Sequence, residues 1–350
     1  MKVLRNEKRS CTELNRHDIP AGMSHQDTRS EQYAEQFRQL RKDKNQNRYP
    51  VSTKHAAPHK PFLLLSVLDL FAEETLDENV IKLDPRLLDL FNDYWDLFMP
   101  EQRRGNIALP FYHLSSEGFW HLIPASGSEK VLEVGRRLRT IRQLKDHTQG
   151  ARLDEELYAL LFEEQPRDIL RTTLIEHHFA ESVHDDLVEQ SSIHVKVFRH
   201  QRRLLRRARG EDLSGDEPEE IGEPVRDQAF RYAVVEAYDH RCAFSGLRVL
   251  TPDHHTAVEA AHIVPWSENQ NDDPRNGLAL SKLCHWAFEE GLLTVSSDYN
   301  ILTSPELTAP YNTTGFLDTL DGQSLHLPDE EAYWPDPEYL DTHRDERFRE

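Results

Sequence analysis

The sequence predicts an α+β chain. A mainly helical N-terminal domain carries one β-hairpin, and a small C-terminal unit of two strands packed on a helix comes after it. Three observations predict it. An uninterrupted apolar run at 61–71 and a segment with three- and four-residue apolar spacing at 84–99 read as helices of one core. A Gly/Pro/acid-rich stretch at 210–224 separates that core from the C-terminal residues. Beyond it, strand, polar loop, strand and helix succeed one another between Glu259 and Gly291.

Taken in order, residues 1–30 are polar and aperiodic and read as a disordered tail. Met23, within that tail, is an alternative start to Met1. A helix is expected over 30–42. The run at 61–71 is entered through Pro-His-Lys-Pro, and proline suits a first helical turn. Ile107–Leu114 and Gly118–Ile123 alternate apolar and polar residues around a Ser-Ser-Glu-Gly turn, which predicts a β-hairpin. Helices are expected at 153–163 and 166–179, which makes 31–180 one compact, mainly helical domain. A basic helix at 190–209 and the acidic linker fill 181–224, and an amphipathic helix at 226–238 opens a second domain at 225–310. His254 and His255 fall on a turn at the surface. In the extension 311–350, Trp334-Pro335-Asp336-Pro337 and Leu340 suggest docking onto the second domain.

Composition narrows the function classes. Of 350 residues, 37% are hydrophobic and 30% charged, as expected of a soluble chain with a lean core. No apolar run reaches membrane-spanning length, and the N-terminus lacks the apolar stretch of a signal peptide. Cys11, Cys242 and Cys284 are the only cysteines, which fits a reducing cytoplasm without a disulfide framework. The net charge of −20 does not exclude a nucleic-acid partner, because acid is unevenly placed. Residues 199–209 hold six arginines, five of them at i, i+3, i+4, i+7 and i+8 on one helix face, and 211–223 are strongly acidic. That arginine face could run along a DNA backbone or pair with the acidic linker.

The chemistry concentrates after residue 258. His262 ends the first strand, Asn276 stands 14 residues on, His285 nine further, and Glu289 one helical turn beyond His285. At i and i+4 of one helix, His285 and Glu289 can reach a single ion. A neutral imidazole to activate water, an amide to clamp its loop and a two-ligand helix face together suit metal-assisted phosphodiester hydrolysis. Lys282 and Arg275 flank these residues and could touch phosphate. The His-Glu-x-x-His helix of zinc proteases is absent.

Residues 225–293 resemble the HNH endonucleases, whose nuclease unit is a two-stranded hairpin packed on one helix. The resemblance implies His262 as general base, Asn276 as the residue that aims it, His285 as a catalytic metal ligand and Glu289 as a second ligand. The cation implied is Mg²⁺, Mn²⁺ or Ni²⁺. Two departures stand out. Many family members carry a ligand directly before the base, where this chain has Ala261; Glu259, two residues earlier, is a substitute candidate. Many also carry two Cys-x-x-Cys pairs that bind zinc. Here Ser245 stands three residues after Cys242, and no cysteine lies three residues before Cys284, so no structural four-cysteine zinc site is expected. The two cysteines read as small buried residues.

Ala57–Leu65, Ile107–Leu114 and Gly118–Trp120 resemble the sulfur-binding domain found ahead of HNH nucleases that restrict phosphorothioate DNA. The resemblance covers 31–180. It implies an apolar pocket ringed by cations, where sulfur is cheaper to desolvate than oxygen. Candidate DNA-binding residues are His59, Lys60, Arg103, Arg104, Asn106 and His113. The function expected is a cytoplasmic endonuclease acting on modified double-stranded DNA, possible as a homodimer and independent of membranes. Two alternatives stay open: an HNH nuclease triggered by another DNA modification or ligand, and a catalytically degenerate DNA-binding protein, which Ala261 keeps alive.

Overall fold

A computed structural model of the chain describes residues 25–99, 105–133, 138–213, 221–313 and 315–350. The tail 1–24 and residues 214–220 of the acidic linker lie outside them. Helix α1 (His25–Arg38) lies earlier than the helix expected over 30–42. Arg38 closes it through ion pairs with Glu31 and Glu35, and Lys42 then turns inward, its Nζ 2.7 Å from His178 Nδ1. Helix α2 (His59–Ala72) is buried from Lys60 to Phe71, as a helix apolar on all faces must be. Helix α3 (Pro85–Phe98) begins where Asp84 accepts from the Leu87 amide at 2.9 Å, with Pro85 in the first turn. Its buried residues Leu87, Leu88, Phe91, Tyr94 and Trp95 keep helical spacing.

The expected hairpin at 107–123 is corrected. Residues 108–113 form helix α4 (Ala108–His113). Asn106 Oδ1 accepts from the Ala108 amide at 3.0 Å, and Pro110 has no amide to give a strand ladder. Buried Ile107, Ala108, Phe111 and Leu114 fit one helix face as well as they fit alternation. Strand β1 (Trp120–Pro124) pairs instead with a distant strand, β2 (Thr148–Leu153), Trp120 opposite Leu153. Helices α5 (Glu129–Glu133) and α6 (Ile141–His147) lie between them. Helices α7 (Glu155–Leu160) and α8 (Glu164–His178) complete this first core.

Helix α9 (His184–Ala208) joins the halves: Leu187 belongs to the first core and Leu204 to the second. Its C-terminal arginines turn toward nearby acid. Arg206 pairs with Glu211 at 2.9 Å, and Arg209 with Glu330 at 3.0 Å. Helix α10 (Glu223–Ala237) packs along α9 and against a two-stranded sheet. Strand β3 (Val258–His262) pairs antiparallel with β4 (Gly277–Ser281), His262 opposite Gly277. The loop between them contains the short helix α11 (Trp266–Asn269). Helix α12 (Lys282–Glu289) leaves β4 without a connecting loop.

A second hairpin, β5 (Leu293–Val295) and β6 (Ile301–Thr303), comes next, and α13 (Pro337–Glu346) returns to the nuclease-like unit. Leu317, Leu320, Leu325 and Leu340 share its core, so the described part of the extension belongs to that unit. His343 stacks on Phe288 of α12 with ring centroids 3.7 Å apart, and burial pushes its imidazole down to about 4. Among the described residues, no helix is long and apolar enough to cross a membrane.

Candidate active site

His262 stands at the end of β3, where the strand gives way to a loop that must be held. Asn276 holds it. Its side chain is fully buried; Oδ1 accepts from the Val264 amide at 2.9 Å, and Nδ2 donates to the carbonyls of Val264 (3.0 Å) and Asn271 (3.1 Å). Gly277 lets α10 come close: a Cβ there would lie 2.4 Å from Val234 Cγ2. That approach brings Phe230 face to face with the His262 ring, centroids 3.8 Å apart and planes 7° apart. His262 Nε2 lies 3.0 Å from Asp272 Oδ1, and no partner is found for Nδ1 among the described residues.

His285 faces His262 from α12. Its ring lies between two carboxylates, with Nδ1 2.8 Å from Glu259 Oε1 and Nε2 3.3 Å from Glu289 Oε1. The two acids therefore occupy opposite edges of one imidazole. Glu259, a candidate ligand by sequence, is not beside Glu289. A cavity of about 340 Å³ is lined by Ala261, His262, His285 and Glu289. A wider groove of about 1000 Å³ opens on the Glu259 side and is lined by Arg226, Arg231, Lys282, His262 and His285.

Divalent cations are implied by the nuclease fold, and this donor set can be tested against one. No three His, Cys, Asp or Glu side chains converge on one point among the described residues. His285 Nε2 and Glu289 form a two-donor, open arrangement. Such a site suits a cation that keeps waters and takes phosphate oxygens, and it is unlike a closed zinc cage. Glu259 fits the role of the carboxylate that accepts from the far nitrogen of a metal-bound histidine. Away from this site, Cys242 and Cys284 are both buried. Cys242 Sγ lies 3.8 Å from Ser281 Oγ and accepts from the Ser245 amide at 3.5 Å.

The N-terminal candidates are less favourably placed. The Lys60 ammonium is buried in an ion pair with Glu117 and braces α2 against the turn after α4. The Asn106 side chain serves the start of α4 and donates to the Arg139 carbonyl at 3.2 Å. The His59 ring packs on Trp95 at 4.7 Å, and burial pushes it down to about 4, so it is neutral at physiological pH. His113 lies half-buried beside Tyr112. Arg103 and Arg104 lie outside the described residues. Near the site, Arg275 is held by Asp273 at 2.7 Å, while Lys282 and Arg231 are exposed on the groove.

Two neighbours of these residues escaped the sequence: Asp272, and Arg226, whose guanidinium lies 3.5 Å above the Trp266 ring. Asp272 sits in an aperiodic run of amides and acids that gives no local signal. Arg226 sits on an amphipathic helix whose partner lies 40 residues away in sequence.

Comparison with known proteins agrees with this geometry. Residues 242–296 match the model of a family described as HNH endonuclease. Residues 30–195 match the ScoMcrA-like, DNA sulfur-binding domain. A comparison with curated proteins returns no match. Among solved structures, the chain is similar to a "Modification dependent TagI restriction endonuclease", with 20% identity and a TM-score of 0.27 over 36% of this chain. The similarity spans 39% of that structure, too little and too loose to bear on the site. The chain thus joins a ScoMcrA-like DNA sulfur-binding domain to an HNH endonuclease domain, built on the hairpin that carries His262 and the helix that carries His285.

Proposed function

We propose that this chain is a divalent-metal-dependent restriction endonuclease, cytoplasmic and homodimeric, that hydrolyses double-stranded DNA bearing phosphorothioate linkages. One observation carries the reading: His262, with no partner for Nδ1 among the described residues, opens into the same cavity as His285 and Glu289. In this scheme His262 Nδ1 takes a proton from water. The resulting oxygen attacks phosphorus in line, and the bond to the 3′ oxygen breaks. Asn276 fixes the loop that aims the imidazole, while His285 and Glu289 would hold the cation, Mg²⁺, Mn²⁺ or Ni²⁺. When bound, that cation stabilises charge on the phosphate and the leaving oxygen. Glu259 holds His285 from behind.

One such centre cuts one strand, so a double-strand break calls for two copies or two nicks. Sulfur recognition is assigned to the N-terminal domain on the strength of its family match. The test is cleavage of matched duplexes, phosphorothioate and unmodified, with Mn²⁺ or Mg²⁺, by wild type and His262→Ala. Cutting confined to the modified duplex and lost in the variant is expected. Equal cutting of both duplexes would remove the sulfur specificity. Binding with no cutting in any metal would favour a degenerate DNA-binding protein, for which Ala261 is the structural ground.

A further inference from the structure

We infer that Asp272 is a positioning residue for His262: its carboxylate fixes the imidazole as the Nε2–H tautomer and so leaves the Nδ1 lone pair facing the cavity. The inference rests on the reading of His262 as the general base.

The geometry leaves few alternatives. A neutral imidazole has one N–H and one acceptor nitrogen, and an ionised carboxylate only accepts. With Nε2 3.0 Å from Asp272 Oδ1, the ring proton belongs on Nε2. The ring cannot readily turn out of this bond, because Phe230 stacks flat against it. Nor can the carboxylate easily leave. The Asp272 side chain is only 9% exposed, and its Oδ2 lies 3.5 Å from Arg226 Nε. Arg226 is itself held against Trp266.

Both chain neighbours of Asp272 are tied down. The Asn271 carbonyl accepts from Asn276, and Asn271 Nδ2 donates to the Tyr339 hydroxyl at 2.6 Å. The Asp273 amide donates to Asn271 Oδ1, and Asp273 Oδ1 caps Arg275. Asn276 thus serves the base twice, clamping Val264 just after it and the residue before its carboxylate partner.

The chemistry comes from the tautomer. The proton leaving water goes to Nδ1, the ring becomes an imidazolium, and the carboxylate beside Nε2–H stabilises that charge as it forms. An asparagine at 272 would offer an NH₂ to Nε2 and so favour the Nδ1–H tautomer, which has no lone pair for water. In serine proteases the same exchange costs about 10⁴ in kcat.

The experiment uses the full-length protein as wild type, Asp272→Asn and Asp272→Ala, each checked for an unchanged melting temperature. Two readouts are taken. Nitrogen-15 NMR of labelled histidine, with the His262 signal identified by its loss in His262→Ala, reports which ring nitrogen carries the proton. Single-turnover nicking of phosphorothioate plasmid with Mn²⁺ reports the rate. We expect Nε2–H in wild type, a shift toward Nδ1–H in Asp272→Asn, and a single-turnover rate lower by about 10²–10⁴ at saturating enzyme.

A wild-type ring protonated on Nδ1 would overturn the inference, as would Asp272→Asn cutting at the wild-type rate with the wild-type tautomer. If wild type cuts no duplex while the tautomers show this pattern, the nuclease reading fails and the positioning by Asp272 stands. If Asp272→Asn does not fold, Asp272→Ala, with neither donor nor acceptor at 272, is expected to show a mixture of tautomers. A pure wild-type tautomer there would equally overturn the inference.

Discussion

Two aspartate–histidine pairs in this molecule use the same bond for opposite ends. In the N-terminal half, Asp69 of α2 meets His194 of α9, Oδ2 to Nδ1 at 2.8 Å. Asp69 also accepts from Tyr94 (2.7 Å), Arg171 (2.6 Å) and Ser191 (2.6 Å), and His194 Nε2 lies 3.3 Å from Asp93. Every polar atom of that pair is used, and both side chains are buried. In the C-terminal half, Asp272 and His262 lie 3.0 Å apart, but Nδ1 has no protein partner among the described residues and the ring faces a cavity. The closed pair pins four helices together; the open pair keeps a nitrogen for a reacting molecule. What separates structure from chemistry is therefore not the pair but whether its second nitrogen is spent.

Breaking each pair should give opposite phenotypes. The largest effect expected is on His262→Ala: nicking falls by about 10²–10⁴, or to background, while the melting temperature changes little. An active His262→Ala would remove the base from the scheme. Asp69→Ala should do the reverse. It strands Arg171 and His194 in the core and should cost about 3–5 kcal/mol in a urea melt, with cleavage retained at temperatures where the variant is folded. A loss below about 1 kcal/mol would show that the closed pair is not a pin.

The closed pair also has a pH signature. Burial alone would raise the Asp69 carboxyl, but Arg171, His194 and Ser191 more than offset it and hold it at about 2. Its contribution is lost only as pH falls through that value. Burial alone would lower His194, but Asp69 and Asp93 together raise it. Stability from a raised histidine is complete below its ordinary value near 6.5 and is lost as pH rises through the higher folded value. Melting temperature should therefore decline in wild type as pH rises above the ordinary histidine value, and this component should vanish in His194→Gln. An identical slope in both proteins would assign the decline elsewhere.

What was legible in the sequence divides along the same line. Strong local signals were enough for α2 and for α3, with its Asp84-Pro85 start. Spacing, together with the family resemblance, singled out His262, Asn276, His285 and Glu289, of which His262, His285 and Glu289 line one cavity. Signals that depend on a distant partner were lost. Eight alternating residues at 107–114 could not reveal that β1 pairs with Thr148–Leu153 across the two helices between them. Lys60 looked available for phosphate because Glu117 lies 57 positions away. Asp272 carried no periodic signal, since its meaning exists only once β3 and the loop close on each other. For the same reason, strand alternation put Glu259 on the face of Ala261 but could not show that it would meet His285 Nδ1.

The smallest effect expected concerns the groove beside the open pair. At a net charge of −20, the chain needs local cations to approach DNA, and exposed Arg231 and Lys282 line this groove with Arg226, among Glu223, Asp227 and Glu259. Each of the two exposed cations, if it meets a phosphate, releases about one counterion, so Arg231→Ala or Lys282→Ala should lower the salt slope of binding by about one. The slope counts phosphate contacts whatever atom modifies them. The two variants should therefore lose it equally on phosphorothioate and unmodified duplexes, leaving the preference between duplexes intact. A variant that changes the preference as well would place modification reading in the nuclease groove, and would take from the N-terminal domain the role its family match suggests.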